Sequence, residues 1–357
     1  MKKIVLTGGG TAGHVTPNIA ILPKLSELGY EIYYIGSKDG IEKKLIEDFG
    51  IPYYGVATGK FRRYLSARNL TDPFKVVHGL NEAGRIIKKL RPDVVFSKGG
   101  YVSVPVVLAA DALKVPAIIH ESDMTPGLAN KICIPHATYV CCNFPETAAS
   151  LPEGKAIVTG TPIREELFAG DRKKAYDFCG FKEERPTLLV IGGSTGSVSV
   201  NNAIRGSLNE LTKTFNVIHL CGKDNLDPAY EGRDDYAQFE YIKQELADLF
   251  ALADIVVSRA GANAICELRA LKKPMVLIPL PLAASRGDQI LNAESFDKQG
   301  LAKLLREEDM TNETLLSAVS DVYTHRDDFI QKMETASESD SISMITGLIE
   351  SCVKQDA

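Results

Sequence analysis

The sequence predicts an α/β protein of two similar halves, each a parallel sheet covered by helices on both faces. Short apolar runs alternate with helix-like stretches from the first residues onward. Their apolarity is continuous rather than alternating, as in strands buried on both sides. A glycine-rich turn after the first run, Gly8-Gly9-Gly10-Thr11-Ala12-Gly13-His14, is echoed halfway along by Gly192-Gly193-Ser194-Thr195-Gly196. Each turn precedes a helix-like stretch, which is how a phosphate-binding strand-turn-helix reads. Two Rossmann-like domains follow from these observations.

The first series of strands is expected at Ile4-Val5-Leu6, Ile32-Tyr33-Tyr34-Ile35, Tyr53-Tyr54-Gly55-Val56, Val94-Val95-Phe96, Ala117-Ile118-Ile119, Tyr139-Val140-Cys141 and Ala156-Ile157-Val158. Pro92 and Pro116 stand just before two of these runs, where a strand accepts proline. After the charged segment Lys182-Glu183-Glu184-Arg185-Pro186 the second series runs through Leu188–Ile191, Val217–Leu220, Phe239–Ile242, Ile255–Val257 and Met275–Ile278. A further repeat links Ser97-Lys98-Gly99-Gly100 to Ser258-Arg259-Ala260-Gly261, each a small-residue turn opening a helix. Ligands of such sheets bind at the carboxyl ends of the strands, so four glycine-rich helix starts would line one cleft if the halves face each other. The expected division is 1–163 and 164–340, with the apolar helix of 341–357 packing back on the first domain.

Composition narrows the function. With 41 Lys and Arg against 46 Asp and Glu, the formal charge of -5 gives no overall basic surplus for nucleic acid. The opening residues reach glycine too soon for a secretory apolar region, and no run of about 18 apolar residues could span a bilayer. The expectation is a cytosolic or peripheral protein. Seven cysteines without a C-x-x-C pair read as reduced thiols rather than a disulfide framework or zinc site. His78, His120, His136, His219 and His325 lack metal-ligand spacing, and no metal is expected.

Gly8, Gly10 and Gly13 satisfy the dinucleotide pattern, yet the second strand runs into Gly36-Ser37-Lys38 where an acidic ribose partner would stand. No P-loop is present. His14, entering a helix whose positive end favours a neutral ring, is the first candidate base. Glu121, ending a buried-looking strand in His120-Glu121-Ser122-Asp123, is the second, and a sugar hydroxyl is a better partner for Glu121 and Asp123 than a cation. Glu267 lies about two turns into the helix opened by Arg259-Ala260-Gly261-Ala262-Asn263-Ala264, where a carboxylate can take two ribose hydroxyls while the helix start, at Ala262 and Asn263, holds phosphate. Arg164 stands where the two series join and suits a diphosphate. Gln289, in Ser285-Arg286-Gly287-Asp288-Gln289, can both donate to and accept from a sugar. Lys60-Phe61-Arg62-Arg63-Tyr64-Leu65, with Phe74-Lys75-Val76-Val77 and Ile86-Ile87-Lys88-Lys89-Leu90, interleaves basic and apolar residues as an anionic membrane surface would attract. A solvated helix face with core residues would look the same.

Taken together, Gly8 to His14, Ser97-Lys98-Gly99-Gly100-Tyr101-Val102-Ser103, His120-Glu121-Ser122-Asp123, Gly192-Gly193-Ser194 and Asp288-Gln289 resemble the MurG family of bacterial peptidoglycan synthesis. The resemblance runs in order from the first strand to about residue 300. It implies a GT-B architecture and inverting transfer of N-acetylglucosamine from UDP-N-acetylglucosamine to the 4-hydroxyl of MurNAc in undecaprenyl-pyrophosphoryl-MurNAc-pentapeptide (lipid I). The first domain would take the lipid-linked acceptor and face the membrane, and the second would take the donor. Arg164, Ser194, Ala262, Asn263, Glu267 and Gln289 would hold the nucleotide sugar, with Ile242 near the uracil and Thr11, Ala12, Gly13 and Asp123 at the donor–acceptor junction. No cofactor is implied. The implied partners are UDP-N-acetylglucosamine, lipid I, the anionic inner membrane surface and other cell-wall synthesis enzymes, which places the protein on the cytoplasmic face of the cell membrane. Three positions depart from the family's usual residues. Ala12 replaces a glycine, Asp123 an asparagine, and Ala264 a hydroxyl residue. Rival readings are a transferase acting on diacylglycerol, a UDP-N-acetylglucosamine epimerase, a dehydrogenase, and a non-enzymatic nucleotide-sugar binder.

Overall fold

The computed structural model describes residues 1–59, 72–193, 196–335 and 340–353. The chain divides into two compact units, Met1–Arg164 with Ser339–Ala357, and Glu165–Glu338. In the first unit the strands are β1 (Lys3–Thr7), β2 (Glu31–Ser37), β3 (Tyr53–Val56), β4 (Val94–Ser97), β5 (Ala117–Glu121), β6 (Tyr139–Cys142) and β7 (Ala156–Val158). They form one sheet in the order β3-β2-β1-β4-β5-β6-β7, every pair parallel. The second unit holds β8 (Thr187–Ile191), β9 (Asn216–Leu220), β10 (Tyr236–Phe239), β11 (Ile255–Ser258), β12 (Met275–Leu277) and β13 (Lys303–Leu304). Their order, β10-β9-β8-β11-β12-β13, is again wholly parallel and repeats that of the first six strands.

In the first sheet the continuous apolar runs are explained by two cores, one on each face. Val5, Val95 and Ile119 point into one with Val106 and Val140, while Ile4, Leu6, Phe96 and Ile118 point into the other. That second core is completed by the helix Ser341–Cys352, which buries Ile345 and Ile349 against Leu25 and Phe96 and pairs Glu350 with Lys2 and the Tyr30 hydroxyl. Within the helix Asp72–Leu90, Ile87 and Leu90 are buried and Lys88 and Lys89 exposed, an ordinary amphipathic division. The basic-aromatic stretch 60–65 lies outside the described residues, as do the side chains of 74–76.

Three elements differ from expectation. The strand foreseen at Phe239–Ile242 runs instead over Tyr236–Phe239, paired with Val217–Leu220, and Ile242 falls in the following loop. Tyr236 fixes this register, because its buried hydroxyl hydrogen-bonds His219 Nδ1 at 2.9 Å. β13, two residues long, carried no periodicity to read. The helix expected after the first turn is broken into Thr16–Ala20 and Leu22–Glu27, each with proline in its first turn, where the missing N–H costs nothing.

His219 is fully buried in β9, between Tyr236 and Asn201 Oδ1 at 2.9 Å. Burial, helped by the Arg205 cation, lowers its pKa from 6.5 to about 3. The unfolded chain therefore takes up this proton first as the pH falls. The stability carried by the neutral ring is complete above the unfolded pKa and is lost between about pH 6.5 and about pH 3. His120 in the first unit is shifted the same way. Thermal unfolding followed from about pH 7.5 down to about pH 5 should show a falling Tm, with a shallower slope in His219→Gln. Equal slopes in the two proteins would remove His219 as a cause.

Candidate active site

In the first unit the strand order reverses at β1, so the turns after β1 and β4 leave adjacent carboxyl ends, with Thr7 opposite Ser97. They interlock. Gly9 N–H donates to Gly99 O at 3.3 Å and Lys98 N–H to Thr7 O at 2.9 Å. Gly100, at φ +84°, has its absent Cβ only 2.2 Å from Gly9 O, so no other residue allows this approach. The Tyr34 hydroxyl donates to Gly8 O at 2.7 Å, and Gly10 N–H donates to Glu42 Oε2 at 3.1 Å. Glu42 is fully buried, and its Oε1 accepts from Ser37 N–H at 2.9 Å and from the Ser37 hydroxyl.

His14 closes the short 3-10 turn Ala12–His14. Its Nδ1 lies 3.1 Å from both Gly9 O and Thr11 Oγ1. A carbonyl only accepts, so in the neutral ring Nδ1 carries the hydrogen and Nε2 the lone pair. The helix that follows has five residues, and its dipole is correspondingly weak. The hydrogen bond to Gly9, rather than a helix end, sets the tautomer. Thr11 and Ala12 are exposed and Gly13 is half-buried.

Glu121, at the end of β5, is almost fully buried. Its Oε1 accepts from Asp123 N–H at 3.0 Å, and its Oε2 from Gly127 N–H at 3.0 Å and Asn130 Nδ2 at 2.9 Å. Burial raises its pKa, and these donors counter the rise only in part. Asp123 is half-buried beside it. Lys98, 1% exposed, donates to His120 Nδ1 and Ser122 Oγ, both at 2.7 Å. His120 Nε2 donates in turn to Gly160 O at 2.8 Å. Burial and the neighbouring Lys98 cation hold that ring neutral, well below its usual pKa.

The second unit repeats the plan with other side chains. Ile191 pairs with Ser258, which places Arg259 where Lys98 stands in the first unit. Buried Arg259 donates through Nη1 to Ile278 O at 3.0 Å and Pro279 O at 3.1 Å, and through Nη2 to Ser197 Oγ at 2.6 Å and Ser199 Oγ at 3.2 Å. Glu307 lies 2.5 Å from Nη2. Ser197 caps the helix Val198–Gly206 after the second glycine turn, so one guanidinium staples that helix start to the end of β12. Ser194 and Thr195 lie outside the described residues. Gly261 opens the helix Ala262–Ala270, on which Ala262 is buried and Asn263 and Glu267 are half-buried. Gln289 Oε1 accepts from Leu280 N–H at 3.1 Å, which commits its oxygen and leaves its NH2 as the donor toward a ligand. Ile242 is half-buried just beyond β10, and Arg164 is half-buried at the last residue of the first unit.

His14 thus follows β1 and Glu121 and Asp123 end and follow β5 in the first sheet, whereas in the second Ile242 follows β10, Ala262, Asn263 and Glu267 lie on the helix after β11, and Gln289 lies on the helix after β12. Sequence reasoning did not single out Glu42, Lys98 or the stapling role of Arg259. The cation recurring after Ser97 and Ser258 was the available signal for the last two. Among the described residues no group of three or more His, Cys, Asp or Glu could hold a metal ion, and no helix is long and apolar enough to cross a membrane.

Residues 4–142 match the glycosyltransferase family 28 N-terminal domain and residues 187–346 its C-terminal domain. A protein of Lachnospira eligens named UDP-N-acetylglucosamine--N-acetylmuramyl-(pentapeptide) pyrophosphoryl-undecaprenol N-acetylglucosamine transferase is 61% identical over 350 residues, covering 98% of this chain and 99% of its own. The protein of the same name from Clostridium tetani is 54% identical, with 98% of each chain covered. The crystal structure of Acinetobacter baumannii MurG superposes with a TM-score of 0.79 at 26% identity, over 98% of this chain and 100% of that one. With both family domains matched in order on two parallel sheets of the GT-B plan, the chain belongs to glycosyltransferase family 28.

Proposed function

We propose that the protein transfers N-acetylglucosamine from UDP-N-acetylglucosamine to the 4-hydroxyl of MurNAc in undecaprenyl-pyrophosphoryl-MurNAc-pentapeptide. The observation that carries the reading is the pinned His14 ring. With Nδ1 committed to Gly9 O, Nε2 is the basic nitrogen at the edge of the first sheet. The substrates follow from the names borne by relatives 61% and 54% identical over nearly the whole chain.

In this mechanism the acceptor oxygen attacks the anomeric carbon in a single displacement while its proton passes to His14 Nε2. The anomeric bond to UDP breaks, and the electron pair leaves on the diphosphate. The second glycine turn with Ser194, the helix start at Ala262 and Asn263, and Arg164 would hold that charge. Glu267 would take the ribose hydroxyls, Ile242 would pack on the uracil, and the Gln289 NH2 would donate to the sugar. Thr11, Ala12, Gly13 and Asp123 would border the reacting groups. Glu121, held by three donors from the segment that follows it, suits holding the 121–127 loop better than moving a proton. Residues 1–163 would serve the lipid-linked acceptor and the anionic membrane surface, through the basic-aromatic stretch 60–65, and residues 164–340 the donor. Work at the cytoplasmic face of the cell membrane beside other cell-wall synthesis enzymes, with roles in cell shape and division, accords with such a substrate.

The direct test is UDP release with a short-chain lipid I analogue. Turnover should require the analogue and collapse when UDP-glucose replaces UDP-N-acetylglucosamine. UDP release without acceptor, or epimerised sugar as the product, would overturn the reading. His14→Ala should lower kcat by about 100-fold or more while donor affinity stays near wild type. Unchanged turnover would exclude His14 as the base. For Glu267→Ala the emphasis is reversed, with donor affinity falling about tenfold or more. Donor titration matching wild type would rule out the ribose contact.

A further inference from the structure

We infer that Glu42 is a positioning residue for the transfer, acting on His14 through the peptide group between Gly9 and Gly10. This rests on the reading of His14 as the base. The N–H of that peptide belongs to Gly10 and donates to Glu42 Oε2 at 3.1 Å. Its C=O belongs to Gly9 and accepts from His14 Nδ1 at 3.1 Å. One rigid, trans peptide plane therefore joins a carboxylate on one side to an imidazole on the other. Hydrogen bonds in series polarise one another, so the negative charge behind the N–H makes the carbonyl a stronger acceptor for the ring. A carboxylate commonly orients a histidine base by touching it, and here it does so with one peptide group in between.

Several features mark this as built. Glu42 is fully buried, and its carboxyl oxygens meet Gly10 N–H, Ser37 N–H and the Ser37 hydroxyl. Three glycines make room for it. A Cβ on Gly9 would stand 2.4 Å from Glu42 Cδ, one on Gly36 2.9 Å from its Cγ, and one on Gly40 2.2 Å from its carboxylate oxygens. The preceding peptide is held as firmly, through Tyr34 onto Gly8 O and Gly9 N–H onto Gly99 O. A carboxyl group thus fills the space behind the first glycine turn and takes up the Gly10 N–H.

Glu42→Gln keeps the shape and removes the charge, whereas Glu42→Ala empties the site. In Glu42→Gln, kcat should fall about tenfold or more with the KM for UDP-N-acetylglucosamine within about threefold of wild type. Sodium formate should restore part of the kcat of Glu42→Ala, and formamide, neutral and similar in shape, should not. Wild-type kcat in Glu42→Gln, equal rescue by formamide, or a donor KM rising in step with the loss of kcat would each overturn the proposal. Histidine 15N spectra separate it from the base assignment. The His14 ring should be protonated at Nδ1 in wild type and gain the Nε2–H tautomer in Glu42→Gln, whatever His14→Ala does to turnover. An unchanged tautomer ratio would break the link between Glu42 and the ring.

Discussion

Strands buried on both faces admit polar groups along their length only where these are internally hydrogen-bonded, as His219 is by Tyr236 and Asn201, and that constraint organises both halves of this molecule. Ile4, Val5 and Leu6 are completely buried, as are Leu188, Leu189 and Val190. Most of the candidate site groups stand where the chain leaves the sheet, and the reversal of strand order there leaves two turns side by side, joined by Gly9 N–H to Gly99 O and Lys98 N–H to Thr7 O in the first half.

The two halves solve the same problem with different ions. After β4 the cation is Lys98, which reaches sideways to His120 and Ser122. After β11 it is Arg259, whose planar fork spans four acceptors on two elements. The first glycine turn has a carboxylate built in behind it, whereas the described part of the second has only its own backbone bond, Gly196 N–H to Gly193 O.

Much of the architecture was legible because continuous apolarity, glycine turns and the internal repeat are local signals. The β10 register was not legible, since it is set by the buried contact between Tyr236 and His219 rather than by the apolar run around Ile242. His14, Glu267 and Gln289 could be named from their place after a turn or on a helix. What they touch could not, because it depends on chain crossings such as Gly9 against Gly100. Glu42 escaped notice for a related reason. The dinucleotide pattern puts an acidic residue only at the end of β2, where none stands, whereas Glu42 comes from the next helix, Ile41–Glu47, and lies against Gly36.

The helix Ser341–Cys352 has a consequence for how the molecule is made. Its Ile345 and Ile349 belong to a core otherwise formed by residues near the amino terminus, among them Ile4, Leu6 and Leu25. During synthesis those apolar faces must wait while the whole of Glu165–Glu338 is translated. At the elongation rate of about 5–20 residues per second this is a delay of roughly ten to forty seconds. The core of the half carrying His14 is complete only once Ser341–Cys352 has been made.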